Sequence, residues 1–131
     1  MDESKSMSDS SCGCCAAPKV VYACSGSSDV GEISDRAARQ LTREGVCKMT
    51  CIAGIGGHVG ALLDVANAAE TILAIDGCPQ NCASKTLEHA GYKGFKRFGV
   101  YELGLPKGKS PATAENVDKV ARKGKELLSS G

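Results

Sequence analysis

The feature that most constrains the fold is an alternation. Four short β-rich runs are each followed by a stretch with helical periodicity. The first run is residues 19–24 (KVVYAC), and a Ser/Gly/Asp loop at 25–29 leads from it into a helix over 30–44. In that helix Ile33, Ala37 and Leu41 fall four apart on one face, and Gly45 supplies a stop. The second run is 47–53 (CKMTCIA), followed by the glycine-rich stretch Gly54, Ile55, Gly56, Gly57 and a helix over 58–70 that should bury Leu62, Leu63, Ala66 and Ala69. The third run is 71–75 (TILAI), with a helix that carries Cys82 in its first turn and runs to His89. A fourth strand is expected within 95–103, a loop over 104–111, and a last helix over 113–128. Strands that alternate with amphipathic helices pair in parallel, because each helix carries the chain back across the sheet. The expected fold is therefore a single three-layer α/β domain with a mostly parallel four-stranded sheet, in flavodoxin-like order. Residues 1–17, rich in Ser and Cys and without periodicity, are expected to form a disordered tail, leaving 18–131 as the domain.

Topology then gives meaning to the cysteines. In a parallel sheet all carboxyl ends share one edge, where ligands of open α/β sheets bind. Cys24 ends the first strand, Cys51 lies near the end of the second, Cys78 follows the third, and Cys82 opens the next helix. Four thiols distant in sequence thus meet at one edge. Four thiolates suit a tetrahedral Zn²⁺, and the N–H groups of the following helices offset the negative charge. Cys47 begins the second strand, roughly 13 Å from Cys51 at ~3.3 Å per residue, and reads as a buried structural thiol. Cys12, Cys14 and Cys15 lie in the tail and reach the site only as a mobile arm.

Bulk properties narrow the function. The chain has 131 residues, 16 basic against 15 acidic, so no large electrostatic footprint for nucleic acid or an anionic membrane is expected. Lys93, Lys96 and Arg97 make a local basic cluster that reads as a solvated strand or loop. No apolar run approaches the ~20 residues of a membrane helix, and the polar start lacks the features of a secretory signal. A cytoplasmic location is expected. In that compartment thiols stay reduced, so eight cysteines point to metal or redox chemistry rather than disulfides.

Three segments carry a resemblance: Tyr22 to Gly26 (YACSG), Met49 to Gly56 (MTCIAGIG) and Ala74 to Ala83 (AIDGCPQNCA). Together they resemble the DGC-domain family of zinc-binding proteins, named for the tripeptide that is Asp76-Gly77-Cys78 here. The similarity covers roughly residues 19–130. It implies four chelating cysteines, which map onto Cys24, Cys51, Cys78 and Cys82.

Other chemistries fit less well. A phosphatase loop needs C-x5-R, and Val30 stands where the Arg would be. The ordered domain has no C-x-x-C, since three residues separate Cys78 from Cys82. A thiol redox switch remains the alternative, because helix-start thiols can be reactive. An iron–sulfur cluster would use the same four thiolates. A metal-dependent enzyme of unknown substrate is a further alternative, disfavoured because four bound thiolates leave no open position on zinc. Gly54 to His58 lacks both the dinucleotide fingerprint and the phosphate-loop Lys-Ser/Thr. His58 is either a further ligand or base, or an exposed helix-start residue, the second being favoured. Asp76 is either an acceptor behind the ligands, a ligand itself or a turn residue, the last being favoured. His89 is expected to act only as a cation at a helix end.

Overall fold

The structure, a computed structural model, describes residues 18–129; the expected tail and its three cysteines lie outside the described residues. The strands are β1 (Lys19–Ala23), β2 (Lys48–Met49), β3 (Thr71–Asp76) and β4 (Lys96–Gly99). The helices are α1 (Asp29–Arg43), α2 (Ile52–Gly56), α3 (Gly60–Ala68), α4 (Cys82–His89) and α5 (Ala114–Ser129), with a 3-10 turn at Val100–Leu103. All pairings are parallel, and the sheet order is β2-β1-β3-β4, the expected flavodoxin-like sequence for four strands.

Side-chain alternation in the strands creates two cores. Val21, Ala23, Leu73, Ile75 and Phe98 face α1 and α5, where Ile33, Leu41, Val120 and Leu128 meet them. Val20, Tyr22 and Ala74 face the other way and pack with Ile55, Ala66 and Leu87 from α2, α3 and α4. Each fully buried Leu, Ile or Val contributes about 1.5–3 kcal/mol of transfer free energy. At Gly124 an added Cβ would stand 2.9 Å from Leu41 Cδ1, so glycine is what lets α5 lie so close to α1.

Local chemistry sets the ends of α1 and α5. Ser28 Oγ accepts from Gly31 N at 3.1 Å and caps α1. The Asp29 carboxylate accepts from Gly108 N, Ser110 N and Val30 N at 2.9, 3.0 and 2.8 Å, which ties down the loop before α5. Those N–H groups, Gly108 first, hold its pKa below the ordinary carboxylate value. At the far end of the sheet, Lys19 Nζ and Lys96 Nζ donate to Leu128 O and Leu127 O at 3.0 and 2.8 Å. Two cations thus meet the carbonyl end of α5, where the helix dipole favours them.

Three expectations need correction. The second strand is only Lys48–Met49, and the expected strand residues Ile52 and Ala53 belong to α2. The glycine-rich stretch is helical because Gly54 is a packing position: a Cβ there would fall 1.9 Å from Leu62 Cδ1. In α3 only Ala66 is buried, whereas Leu62, Leu63 and Ala69 are half-buried, because α3 meets α2 along one side and reaches the sheet-face core mainly through Ala66. The basic cluster also divides. Lys93 is exposed, but Lys96 caps α5 and Arg97 enters a buried polar network, since β4 turns both toward acceptors.

Candidate metal centre

The four strand-end cysteines stand at the carboxyl edge. Cys24 follows β1 directly, and its N–H donates to Ile75 O at 2.9 Å, so it still belongs to the ladder with β3. Cys51 is the residue before α2, with no side-chain cap bond there. Cys78 lies two residues beyond β3, and Cys82 is the first residue of α4. All four are free thiols; Cys51 and Cys82 are exposed, Cys24 and Cys78 half-buried.

The chain's glycines bring two of these loops together. A Cβ on Gly31 would stand 2.6 Å from Gly26 O, and one on Gly77 would stand 3.0 Å from both Gly31 N and Val30 C. The loop after β1 and the loop after β3 therefore both lie backbone-to-backbone on the first turn of α1. Ser34 of that helix reinforces the contact, its hydroxyl lying between the carbonyls of Cys24 and Gly31.

Cys24 and Cys82 line one shallow cavity of about 220 Å³, with Ser25, Gly26, Ile52, Ala83 and Thr86. Cys51 adjoins Ile52 at its rim but is not part of the lining. Cys78 packs instead toward the α1–α5 core. Among the described residues, no three His, Cys, Asp or Glu side chains are gathered closely enough to hold a metal ion. The donor set nonetheless suits a soft or borderline metal, being thiols on three adjacent strand ends. Cys24 and Cys82 are the two that line the same cavity.

Asp76 has a definite task that the sequence reading underrated. It is 0% exposed, and its Oδ1 accepts from Ala83 N at 2.8 Å and Ser84 N at 3.3 Å. These are orphan donors of the first turn of α4, so Asp76 caps the helix from six residues before it starts. Ser84 Oγ donates to Asp76 Oδ2, and Arg97 Nε lies 3.7 Å from that same oxygen. Arg97 also donates to Asn81 Oδ1 at 3.1 Å and to Ser84 Oγ at 3.2 Å, and stands 3.5 Å from Glu102 Oε2. Partial burial opposes the Arg97 charge, but Tyr101, Glu102 and Asp76 outweigh it and raise its pKa. Glu102 accepts from Gly99 N at 3.0 Å, and this bond above all keeps its carboxyl below the usual range. Sequence reading gave Asn81 and Tyr101 no role and took Arg97 as solvated; it is the pairing of β4 with β3 that brings Arg97 to Asp76.

The remaining candidates separate cleanly. His58 is exposed in the turn between α2 and α3, with a left-handed backbone at φ 57°, and does not open a helix. His89 is exposed in the last turn of α4, where a cation is favoured. Cys47 packs against the α1–α5 core, and burial pushes its thiol up to about 11. Tyr22 is fully buried beneath α2 and α4, and its hydroxyl has no hydrogen-bond partner among the described residues. Burial drives that phenol to about 12, with Tyr92 and Cys51 adding and the Thr50 side chain offsetting part of the rise.

A small parallel α/β domain with cysteines at successive strand ends around a capped D-G-C turn defines a class of its own. The chain belongs to the DGC-domain family: the family's model, described as DGC domain, matches residues 20–123. It is also 44% identical over 88 residues to "Anaerobic and virulence modulator AnvM" of Pseudomonas aeruginosa strain PAO1, covering 67% of each chain. No solved structure gives a significant match. No described helix is long and apolar enough to cross a membrane.

Proposed function

We propose that this protein binds a thiophilic metal ion, zinc in the first instance, through Cys24, Cys51, Cys78 and Cys82. The observation that carries the reading is that Cys24 and Cys82 line one cavity, while Cys51, just before α2, and Cys78, two residues beyond β3, stand at the same sheet edge. Binding then requires Cys51 to turn inward from its exposed position and Cys78 to leave its contact with the core. Exposed loop-end side chains reorient readily, and the metal–thiolate bonds would favour the gathered arrangement. Zinc held by four thiolates has no position left for substrate, which favours metal handling or sensing over catalysis. An iron–sulfur cluster would draw on the same ligands. The reading places the protein in the cytoplasm, where the thiols stay reduced, with a metal rather than a nucleic acid as partner. A role as modulator, the word in the relative's name, suits a domain whose shape depends on a bound ion.

Elemental analysis of protein purified without oxygen tests this. One metal per chain is expected, lost in the Ser variants of Cys24, Cys51, Cys78 and Cys82 and retained in Cys47→Ser. Metal retained in Cys78→Ser or Cys82→Ser defeats the ligand assignment.

A second reading, a thiol redox switch, draws on the shared Cys24–Cys82 cavity and the exposure of Cys82. Peroxide would take two electrons and two protons from the pair, forming a disulfide and two waters. Peptide mapping after mild peroxide treatment would find that bond. Full protection of all four thiols by Zn²⁺ speaks against a primary redox role.

A further inference from the structure

We propose that Asn81 is a positioning residue for Cys82, clamped from β4 and the 3-10 turn so that Cys82 is held at the cavity it lines with Cys24. The role rests on the metal-binding reading for its purpose, but the geometry belongs to the protein itself. Asn81 occupies the capping position of α4 with φ 55° and ψ 47°, a left-handed conformation. Asn tolerates that region better than most residues, yet glycine enters it without steric cost. A backbone requirement alone would therefore be met as well by glycine.

The side chain has a different employment. It makes no capping bond to its own helix. Its Oδ1 instead accepts from Arg97 Nη2 and Tyr101 Oη, each at 3.1 Å. The capping that Asn81 forgoes is supplied by Asp76 through Ala83 N and Ser84 N. Asn81 N donates to Cys78 O at 3.0 Å, so the clamped residue also closes the turn that begins at Cys78. The residue immediately before Cys82 is thus fixed at its backbone by Cys78 O and at its side chain by donors from β4 and the 3-10 turn. Fixing it fixes the direction in which α4 starts, and with it the place of Cys82 at the cavity that Cys24 also lines. Outer partners of this kind orient ligands and tune affinity.

The test compares the full chain with Asn81→Gly, Asn81→Asp and Tyr101→Phe. Two readouts apply: the iodoacetamide alkylation rate of Cys82 relative to Cys51 in metal-free protein, and Zn²⁺ affinity by competition with a chromophoric chelator. Asn81→Gly keeps the backbone conformation and removes the strut. Its thermal midpoint should fall only modestly, since glycine enters the left-handed region freely while Arg97 and Tyr101 lose one acceptor. Its Cys82/Cys51 alkylation ratio should shift several-fold, and its Zn²⁺ affinity should fall about tenfold or more, the usual cost of losing an outer partner. Asn81→Asp keeps an acceptor for Arg97 and Tyr101 and should restore the parent's ratio. Tyr101→Phe removes one donor and should give a smaller shift in the same direction. Parent-like alkylation and affinity in Asn81→Gly overturn the role, leaving Asn81 a residue that merely tolerates its backbone. A parent that takes up no Zn²⁺ defeats the four-cysteine reading, while the alkylation ratio still decides for or against the clamp.

Discussion

Asp76, Gly77 and Cys78 each have a separate physical reason to be what they are. The carboxylate caps α4, the glycine admits the first turn of α1, and the thiol is presented beyond the strand. Gly77→Ala should destabilise the fold by about 1–3 kcal/mol, since its Cβ would press on backbone atoms that cannot turn aside. Urea unfolding checks this, and a midpoint equal to the parent's would contradict the close approach. Cys47 makes a pH-dependent prediction. Its folded pKa, about 11, is raised from an ordinary value of 9.0 by burial. A raised folded pKa gives stability that is complete below the unfolded value and is lost as pH climbs through the folded one. Stability should therefore decline between about pH 9 and pH 11, and Cys47→Val should flatten that limb in alkaline unfolding curves. Of these residues the sequence placed the four cysteines at the sheet edge by topology and set Cys47 apart from them, although Cys47 stands just before β2 and is half-buried. It undervalued Asp76, because a carboxylate at a strand end looks like a turn residue until the helix it caps is placed beside it.

At the level of elements, β1, α1, β3, α4 and α5 were readable because each carries a clear period and a clear stop. The stretch from Ile52 to Gly57 was not. Its apolar residues permit either a strand or a short helix, and glycines ordinarily signal a loop. What decided it is a contact invisible in sequence, the Gly54–Leu62 approach that packs α2 on α3. Gly54→Ala should displace Leu62 and cost about 1–3 kcal/mol. It should also speed proteolysis at the exposed Gly57–Gly60 turn, which limited digestion would report. Digestion at the parent rate would mean that Leu62 repacks freely. β4 was foreseen as a strand, but its basic residues were not foreseen as structural. Lys96 and Arg97 look solvated from composition, and only the pairing of β4 with β3 brings them to Leu127 and Asp76.

Across the molecule, order is uneven. β1 and β3 are central in the sheet and covered on both faces, whereas α3 buries only Ala66. Native-state hydrogen exchange should show α3 opening first and β1 and β3 last. A ligand bound by the edge cysteines should stabilise the whole domain by about 2.7 kcal/mol at a hundredfold excess over its Kd, and Cys82→Ser should abolish that gain. A zinc titration followed by denaturant unfolding distinguishes the cases, and an unmoved midpoint in the parent would exclude specific binding to the folded form.

The clamp on Asn81 also has a direction in time. Both of its donors, Arg97 and Tyr101, come after the last of the edge cysteines in the chain. As the polypeptide leaves the ribosome, its thiols emerge first and the groups that steady them follow. A half-made chain thus presents Cys82 before the groups that fix its neighbour exist, and the clamp closes only with the fourth strand and the turn after it.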